Sequence, residues 1–338
     1  MLNFAIIGYG GLGKVHCHNV ATVAKRVKDV RLVAVCDVEE EAFRMQKSIH
    51  GGEESIVQDL SAYRLYQNVN DLLEKEQLDF VITALPTYLH EEIAVLAMKK
   101  GIHVFSEKPM AISLEQAENM LYTARENNVK LMIGHCVRYM PEYLALKNMI
   151  QSKQYGKVIK ADFFRYSTTP EWSWKNWMLD ISKSGGACLD LHVHDVDYIN
   201  YVFGLPKAVS SHGTNYKTRY ESITTVYHYD NGMLVTSNCD WAMPKGFPFT
   251  KGFTVRLEKA TVVFNAQGLT LYDTEGQVKQ LDVPNESGYA EEIVDFIQCI
   301  QEDKESTVNP PEASLQSMRI ALAEMEAVDT GKMVCLGE

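Results

Sequence analysis

The sequence predicts an α/β chain of two domains: a doubly wound parallel sheet, then an α+β unit built on one large open, mainly antiparallel sheet. The first third alternates short apolar runs with helical patterns, as βαβ units do. From about residue 158, short alternating strands follow one another through tight turns, which suits antiparallel pairing. At 338 residues the chain also exceeds the length at which one core stops growing, so the two patterns fall to two domains, 1–135 and 136–338.

In the first domain Phe4 to Gly8 is a strand entering a glycine-rich turn, and Gly13 to about Val27 a helix. Arg31 to Asp37 is the second strand. Glu39, Glu40 and Glu41 then open a helix to about Ile49, their carboxylates suiting the positive end of its dipole. Asp71 to Leu73 begins a short helix, and Phe80 to Thr83 reads as a buried parallel strand. A helix over 91–100 stops at Gly101, His103 to Ser106 is the next strand, and His103 reads as structural. Ser113 with Gln116 resembles a capping box for a helix to about Asn127, before a last strand, Lys130 to Ile133.

The second domain opens with a helix from Pro141 to Gln151. Strands are expected at Val158–Tyr166, Ala208–His212, Ser222–Tyr229, Met233–Asp240, Thr254–Glu258, Thr261–Asn265 and Leu269–Asp273, with a hairpin turn at Asp230, Asn231 and Gly232. Helices from Ala290 to Gln301 and Ala313 to Thr330 follow, divided by Pro310 and Pro311.

Composition narrows the partners. With 33 Lys and Arg against 44 Asp and Glu the net charge is −11, and no basic stripe interrupts it, which argues against nucleic acid. The seven Cys form no C-x-x-C pair and no even framework, as expected of reduced thiols in a cytoplasmic protein. The chain enters a strand at once, without the pattern of a signal peptide, and no apolar run is long enough to span a membrane.

The loop Gly8, Tyr9, Gly10, Gly11, Leu12, Gly13 fits the G-x-G-x-x-G fingerprint: the first Gly permits the turn, the second lets backbone N–H groups approach a pyrophosphate, and the third packs helix on strand. Asp37, at the end of the second strand, is placed to hold a ribose diol. These features together identify a Rossmann dinucleotide-binding domain. No Arg, Ser or Lys follows Asp37 directly to hold a 2′-phosphate, and Glu39 to Glu41 repel one, so NAD is favoured over NADP. Tyr9 and His16 read as backbone or packing residues near the pyrophosphate, with His16 also able to approach the cofactor.

Two further clusters carry chemistry. Lys108, with Glu107 and Pro109, follows a parallel strand at the sheet edge where such folds bind ligands; it can donate to a substrate oxygen, or be a surface Lys beside a turn proline. After Gly185 and Gly186, an apolar helical stretch runs to about Phe203, with Asp190 and His194 one turn apart on the same face. An imidazole there suits proton exchange with a hydroxyl, and a carboxylate can orient it. His192 points to another side of that helix. A metal site of Cys188, Asp190 and His192 needs a different backbone and is disfavoured; Asp195 and Asp197 are expected to cap or to be solvated.

The order of these motifs resembles the Gfo/Idh/MocA family of NAD(P)-dependent oxidoreductases. The resemblance extends over almost the whole chain: the glycine loop with His16, Asp37, the Ala84 to His90 loop, Glu107-Lys108-Pro109, Gly134 to Pro141, and the Gly-Gly run with Asp190 and His194. It implies that Lys108, Asp190 and His194 surround the nicotinamide and are the catalytic set, and that many members oxidise ring hydroxyls of sugars or cyclitols. It also implies homodimer or homotetramer contacts through the second sheet. Ala84, Leu85, Pro86, His90 and Glu107 join the expected cofactor site, with His90 equally consistent with an ordinary helix start. Arg138, Tyr166 and Trp177 join Lys108, Asp190 and His194 as expected substrate contacts. Trp172, Trp174 and Trp177 fit a wall for a sugar ring and fit packing equally well. Open alternatives are a redox-assisted lyase or glycosidase that retains NAD, an enzyme of aromatic substrates, and a non-catalytic nucleotide- and sugar-binding regulator.

Overall fold

The computed structural model describes residues 1–44 and 59–337. The chain forms two compact units, Met1–Cys136 with Ser287–Leu315, and Val137–Glu286 with Gln316–Glu338. The first unit thus takes a second segment from beyond the expected boundary at 135. Its helix Gly288–Gln301 buries Ala290, Ile293, Val294, Phe296 and Ile297 in the same core as Phe80 and Phe105, and the Phe296 ring meets those two edge-on at 5.7 and 5.8 Å.

The sheet of the first unit contains β1 (Leu2–Ile7), β2 (Val30–Cys36), β3 (Arg64–Tyr66), β4 (Phe80–Thr83), β5 (His103–Glu107) and β6 (Leu131–Gly134). All pair in parallel, in the order β3-β2-β1-β4-β5-β6. The order reverses between β1 and β4, the switch point at whose carboxyl ends such sheets bind ligands. The strands form as the sequence predicts because their apolar runs are buried on both faces; Phe4 and Phe80 stack at 4.6 Å across β1 and β4. β3 is not foreseen: it is a three-residue edge strand with exposed Arg64 and Leu65 and offers no apolar run. Of the expected helix from Glu39 to Ile49, a 3₁₀ turn at Glu40–Phe43 is seen, and the part after residue 44 lies outside the described residues. Ser113 caps Leu114–Glu126 by accepting the Gln116 N–H at 3.3 Å. His103 is structural, its Nδ1 accepting the Lys130 N–H at 2.8 Å.

The second unit is built on β7 (Val158–Thr168), β8 (Ala208–Thr214), β9 (Ser222–His228), β10 (Leu234–Met243), β11 (Thr250–Leu257), β12 (Ala260–Asn265), β13 (Gly268–Asp273), β14 (Val278–Leu281) and β15 (Val334–Cys335). Their order is β14-β13-β12-β11-β7-β10-β9-β8-β15. β7 and β10 pair in parallel at the centre and the other neighbours antiparallel, so the sheet is mixed but mostly antiparallel. Gly232 adopts φ +75° in the β9–β10 turn, as the hairpin signal predicts. β14 and β15 escape a reading by pattern, since one is exposed along most of its length and the other has two residues. No helix among the described residues is long and apolar enough to cross a membrane.

Candidate functional site

The glycine loop is shaped by two different demands. Gly8 has φ +90°, donates its N–H to Cys36 O at 2.8 Å, and would put a Cβ 2.4 Å from Ala84 O. A Cβ on Gly13 would lie 1.9 Å from Gly8 O. The fold itself therefore requires these two glycines. A Cβ on Gly10 meets nothing within 4 Å. The helix Gly11–Arg26 begins on Gly10 with no side-chain cap and no acidic residue in its first turn, so the first N–H groups, Gly11 and Leu12 among them, are left for an anion. An open Gly10 above an uncapped helix start is what a pyrophosphate needs, so these residues fit a dinucleotide.

Asp37 is tied to that loop. Its Oδ2 accepts the Tyr9 N–H at 2.7 Å and its Oδ1 the Glu39 N–H at 2.9 Å. The Tyr9 ring is buried, and burial pushes its hydroxyl above the ordinary range, so Tyr9 serves the loop through its backbone. Lys14 completes the arrangement. Its buried Nζ donates to Tyr9 O at 3.0 Å and Ala42 O at 2.6 Å and lies 3.7 Å from the Tyr9 ring centre. A lysine in a first helical turn reads as solvated, so this role carries no signal in the residue pattern.

At β4 the Ala84 N–H donates to Ile7 O at 2.8 Å, which sets Ala84, Leu85 and Pro86 beside Gly8. His90 is buried, with Nε2 2.9 Å from Leu85 O and Nδ1 2.8 Å from Pro109 O, so its ring joins the loops after β4 and β5. Burial lowers its pKa against the opposing pull of those carbonyls. Lys108 is half-buried after β5, before a cis Lys108–Pro109 bond. Its backbone N–H donates to Glu107 Oε2 at 3.2 Å, while Glu107 Oε1 lies 2.7 Å from His16 Nε2. His16 thus turns inward to Glu107.

In the second unit Gly185 and Gly186 take φ +73° and +69°, and a Cβ on Gly186 would meet Arg219 O at 2.1 Å. A π-helical turn, Cys188–His192, leads into the α-helix Val193–Phe203. Such turns recur at functional sites. From Ser184 to Asn200 every residue is buried except Asp190 and His194, which are half-buried. His192 faces elsewhere, its Nε2 3.0 Å from the equally buried Glu324.

Three expectations change here, those for Asp195, Asp197 and Arg138. Asp195 and Asp197 neither cap nor meet solvent: Asp195 accepts Arg165 Nε and Nη2 at 3.1 and 2.9 Å, and Asp197 accepts Arg138 Nε and Nη2 at 2.8 and 2.7 Å. A buried carboxylate needs such a partner, and both arginines come from other elements. Arg138, expected at the substrate, is 1% exposed with its guanidinium on Asp197 and over the Tyr201 ring. Tyr139 is buried as well. Tyr166 is half-buried and stacks on Phe164 at 5.5 Å. Trp172 is exposed and Trp174 and Trp177 are half-buried; left-handed residues Lys175 and Asn176 part the last two, and Lys175 Nζ lies 4.1 Å from the Trp174 ring centre.

Residues 2–135 match the family model described as oxidoreductase family, NAD-binding Rossmann fold, and residues 143–263 match the GFO/IDH/MocA C-terminal domain. The chain belongs to the GFO/IDH/MocA oxidoreductase family. It is 28% identical to glucose-6-phosphate 3-dehydrogenase of Bacillus subtilis over 90% of both chains. It is 24% identical to the scyllo-inositol 2-dehydrogenase (NAD(+)) of the same organism over 98% of this chain and 95% of that one. A 2,7-anhydro-N-acetylneuraminate hydratase of Mediterraneibacter gnavus is 28% identical over 63% of this chain and 53% of its own. Levoglucosan dehydrogenase, solved with NADH and levoglucosan, shares the fold with a TM-score of 0.82 at 19% identity over both whole chains.

As a GFO/IDH/MocA oxidoreductase, this chain takes NAD as its cofactor on the first unit. Sequence reasoning about that unit missed two interior residues, Lys14 and Glu292. Glu292 is fully buried in the first unit although the sequence places it in the second domain. Its signal is an acidic residue on the apolar face of Gly288–Gln301.

Proposed function

We propose that this oxidoreductase exchanges hydride between NAD and a ring CH–OH carbon of a sugar, cyclitol or related polyol, or reduces the matching ketone. One observation carries the reading: along the buried run from Ser184 to Asn200, the two side chains that keep access to solvent are the carboxylate and imidazole suited to move a hydroxyl proton. His194 takes that proton as general base, and Asp190 orients the imidazole and offsets its charge. Lys108, at the carboxyl end of β5, holds the oxygen as it becomes an alkoxide. Gly10 and the helix start at Gly11 and Leu12 bind the pyrophosphate, Asp37 the adenosine ribose, and the Ala84–Pro86 loop and Glu107 shape the nicotinamide side. NAD, when bound, supplies the acceptor for the carbon-bound hydrogen, which leaves with its electron pair as the carbonyl forms. The dehydrogenases named above support a polyol substrate.

The related hydratase favours a second reading, transient oxidation of a ring carbon with NAD restored at the end of each turnover. One experiment separates the two. Purified protein with NAD and a panel of sugars, cyclitols and sugar acids is followed by absorbance of reduced cofactor and by product analysis. Net reduction supports the dehydrogenase; product without net reduction supports the hydratase-like route; binding without chemistry overturns both in favour of a regulator. Lys108→Ala should cut turnover by about a hundredfold or more while leaving NAD affinity near wild type. Near-wild-type turnover in that variant removes Lys108 from the reaction. Self-association through the exposed side of the second sheet is part of this proposal, and light scattering tests it.

A further inference from the structure

Three side chains the reaction does not use directly meet inside the first unit. His16 comes from Gly11–Arg26, Glu107 from the end of β5 and Glu292 from Gly288–Gln301. Each is at most 2% exposed, and one donor atom from each lies within 4.8 Å of the other two. The 2.7 Å between His16 Nε2 and Glu107 Oε1 is a hydrogen-bond distance. Ligands of a tetrahedral ion bound at about 2.0–2.1 Å stand roughly 3.4 Å apart, so this pair is hydrogen-bonded and not spaced for a metal.

The two carboxyls differ in their surroundings. Both Glu107 oxygens are engaged, one by the His16 ring and one by the Lys108 backbone N–H. Neither Glu292 oxygen has a hydrogen-bond partner, although the residue is fully buried. Two neighbouring carboxylates in a dry interior do not both ionise cheaply, and the negative charge settles where donors meet it, on Glu107. Burial first and the Glu107 charge second hold the Glu292 carboxyl well above the ordinary carboxylate range. Other titratable groups near the cluster are Tyr289, whose ring meets His16 edge-on at 6.3 Å, Cys136 next to Tyr289, and His90, which burial holds toward its neutral form although Glu107 opposes it; positive charge comes from Lys108, which follows Glu107 in the chain.

We propose that Glu292 is a positioning residue for Lys108: as a neutral acid it leaves a single negative charge on Glu107, the carboxylate that ties His16 to the Lys108 backbone. This rests on the role given to Lys108 above. Ionising Glu292 adds a second buried charge, strains that tie and displaces Lys108, so turnover falls on the alkaline side while NAD still binds. Because the folded state holds this proton more tightly than the unfolded chain, its stabilising effect is complete below the ordinary Glu value of about 4.3 and is lost as pH rises through the folded value.

Three measurements test this. Infrared spectra of the wild-type protein at neutral pH should show a protonated carboxyl band that disappears as pH is raised and is missing from Glu292→Gln. The Glu292→Gln unfolding midpoint should vary less than wild type between about pH 5 and about pH 9. Glu292→Gln should keep most of the kcat that Glu292→Ala loses, with its alkaline limb displaced upward and KM for NAD unchanged. No carboxyl band in the wild type, which needs no variant to fold, or identical pH profiles for wild type and Glu292→Gln, overturns the proposal. Failure of the Lys108 reading looks different: Lys108→Ala stays active while the carboxyl band and the stability slope remain.

Discussion

The Tyr9 backbone N–H donates to Asp37 Oδ2 at 2.7 Å, so the carboxylate at the end of β2 is built into the glycine turn. With Oδ1 held by the Glu39 N–H, its orientation is fixed before any ligand arrives. Such preorganisation lowers the ordering cost of binding.

Asp37→Ala removes both ties and the proposed ribose acceptor. A hydrogen bond to a charged group contributes about 1.5–3 kcal/mol, so the NAD dissociation constant should rise roughly 10- to 100-fold. The ratio of NADP to NAD affinity should rise too, because the charge opposing a 2′-phosphate is gone. Fluorescence titration with both nucleotides reads the two effects, and an unchanged ratio denies Asp37 its part in selectivity.

Gly10 and Gly13 should separate stability from binding. A Cβ at 13 collides with Gly8 O at 1.9 Å, whereas a Cβ at 10 meets no protein atom. Gly13→Ala should therefore lower the unfolding free energy by about 1–3 kcal/mol. Gly10→Ala should unfold like wild type and still bind NAD more weakly. Thermal unfolding and a binding isotherm on the same two variants settle the contrast, and a destabilised Gly10→Ala contradicts the open-cradle reading.

These two glycines also show how far the sequence alone reaches. The fingerprint, the strand before it and Asp37 lie within forty residues of one another, and local spacing reports local geometry well. Partners far apart in the chain are another matter. Arg165 and Asp195 are 30 residues apart and Arg138 and Asp197 are 59 apart, and nothing in the run from Asp195 to Asp197 distinguishes a buried pair from a solvated one. Helix Gly288–Gln301 shows the same limit: its periodicity says that one face is buried, but not that the face belongs to the first unit's core. Asp190 and His194 were singled out from α-helical spacing, and both do stay half-buried in a buried run, but the π-turn Cys188–His192 that carries Asp190 was not legible in that pattern.

Neighbouring acidic residues on that segment should behave oppositely. Asp195 is fully buried against Arg165, and breaking a buried pair costs about 3–5 kcal/mol. Asp195→Asn or Arg165→Met should therefore shift the denaturant midpoint strongly. Asp190→Asn and His194→Gln alter half-buried groups, so stability should stay within roughly 0.5 kcal/mol while kcat falls about 10²- to 10⁴-fold. Urea unfolding beside steady-state kinetics tests this; a stability loss in His194→Gln as large as in Asp195→Asn indicates packing in place of proton transfer.

His90 presents a conflict that pH can expose. Both ring nitrogens face carbonyl oxygens, Leu85 O at 2.9 Å and Pro109 O at 2.8 Å, yet a neutral imidazole carries one N–H. The imidazolium serves both carbonyls but must be charged in a fully buried place. Burial outweighs the carbonyls and nearby Glu107, so the pKa is lowered. The folded protein then holds fewer protons here than the unfolded chain, and the stabilisation is complete above the ordinary His value of about 6.5 and lost as pH falls through the folded value. His90→Gln cannot titrate, so the unfolding free energy of wild type minus that of the variant should shrink as pH drops below about 6.5. Because the ring links the loops after β4 and β5, the variant should also bind NAD more weakly at neutral pH. A wild-type advantage constant across pH means that His90 binds protons equally in the folded and unfolded chains, and the clamp then works by shape alone.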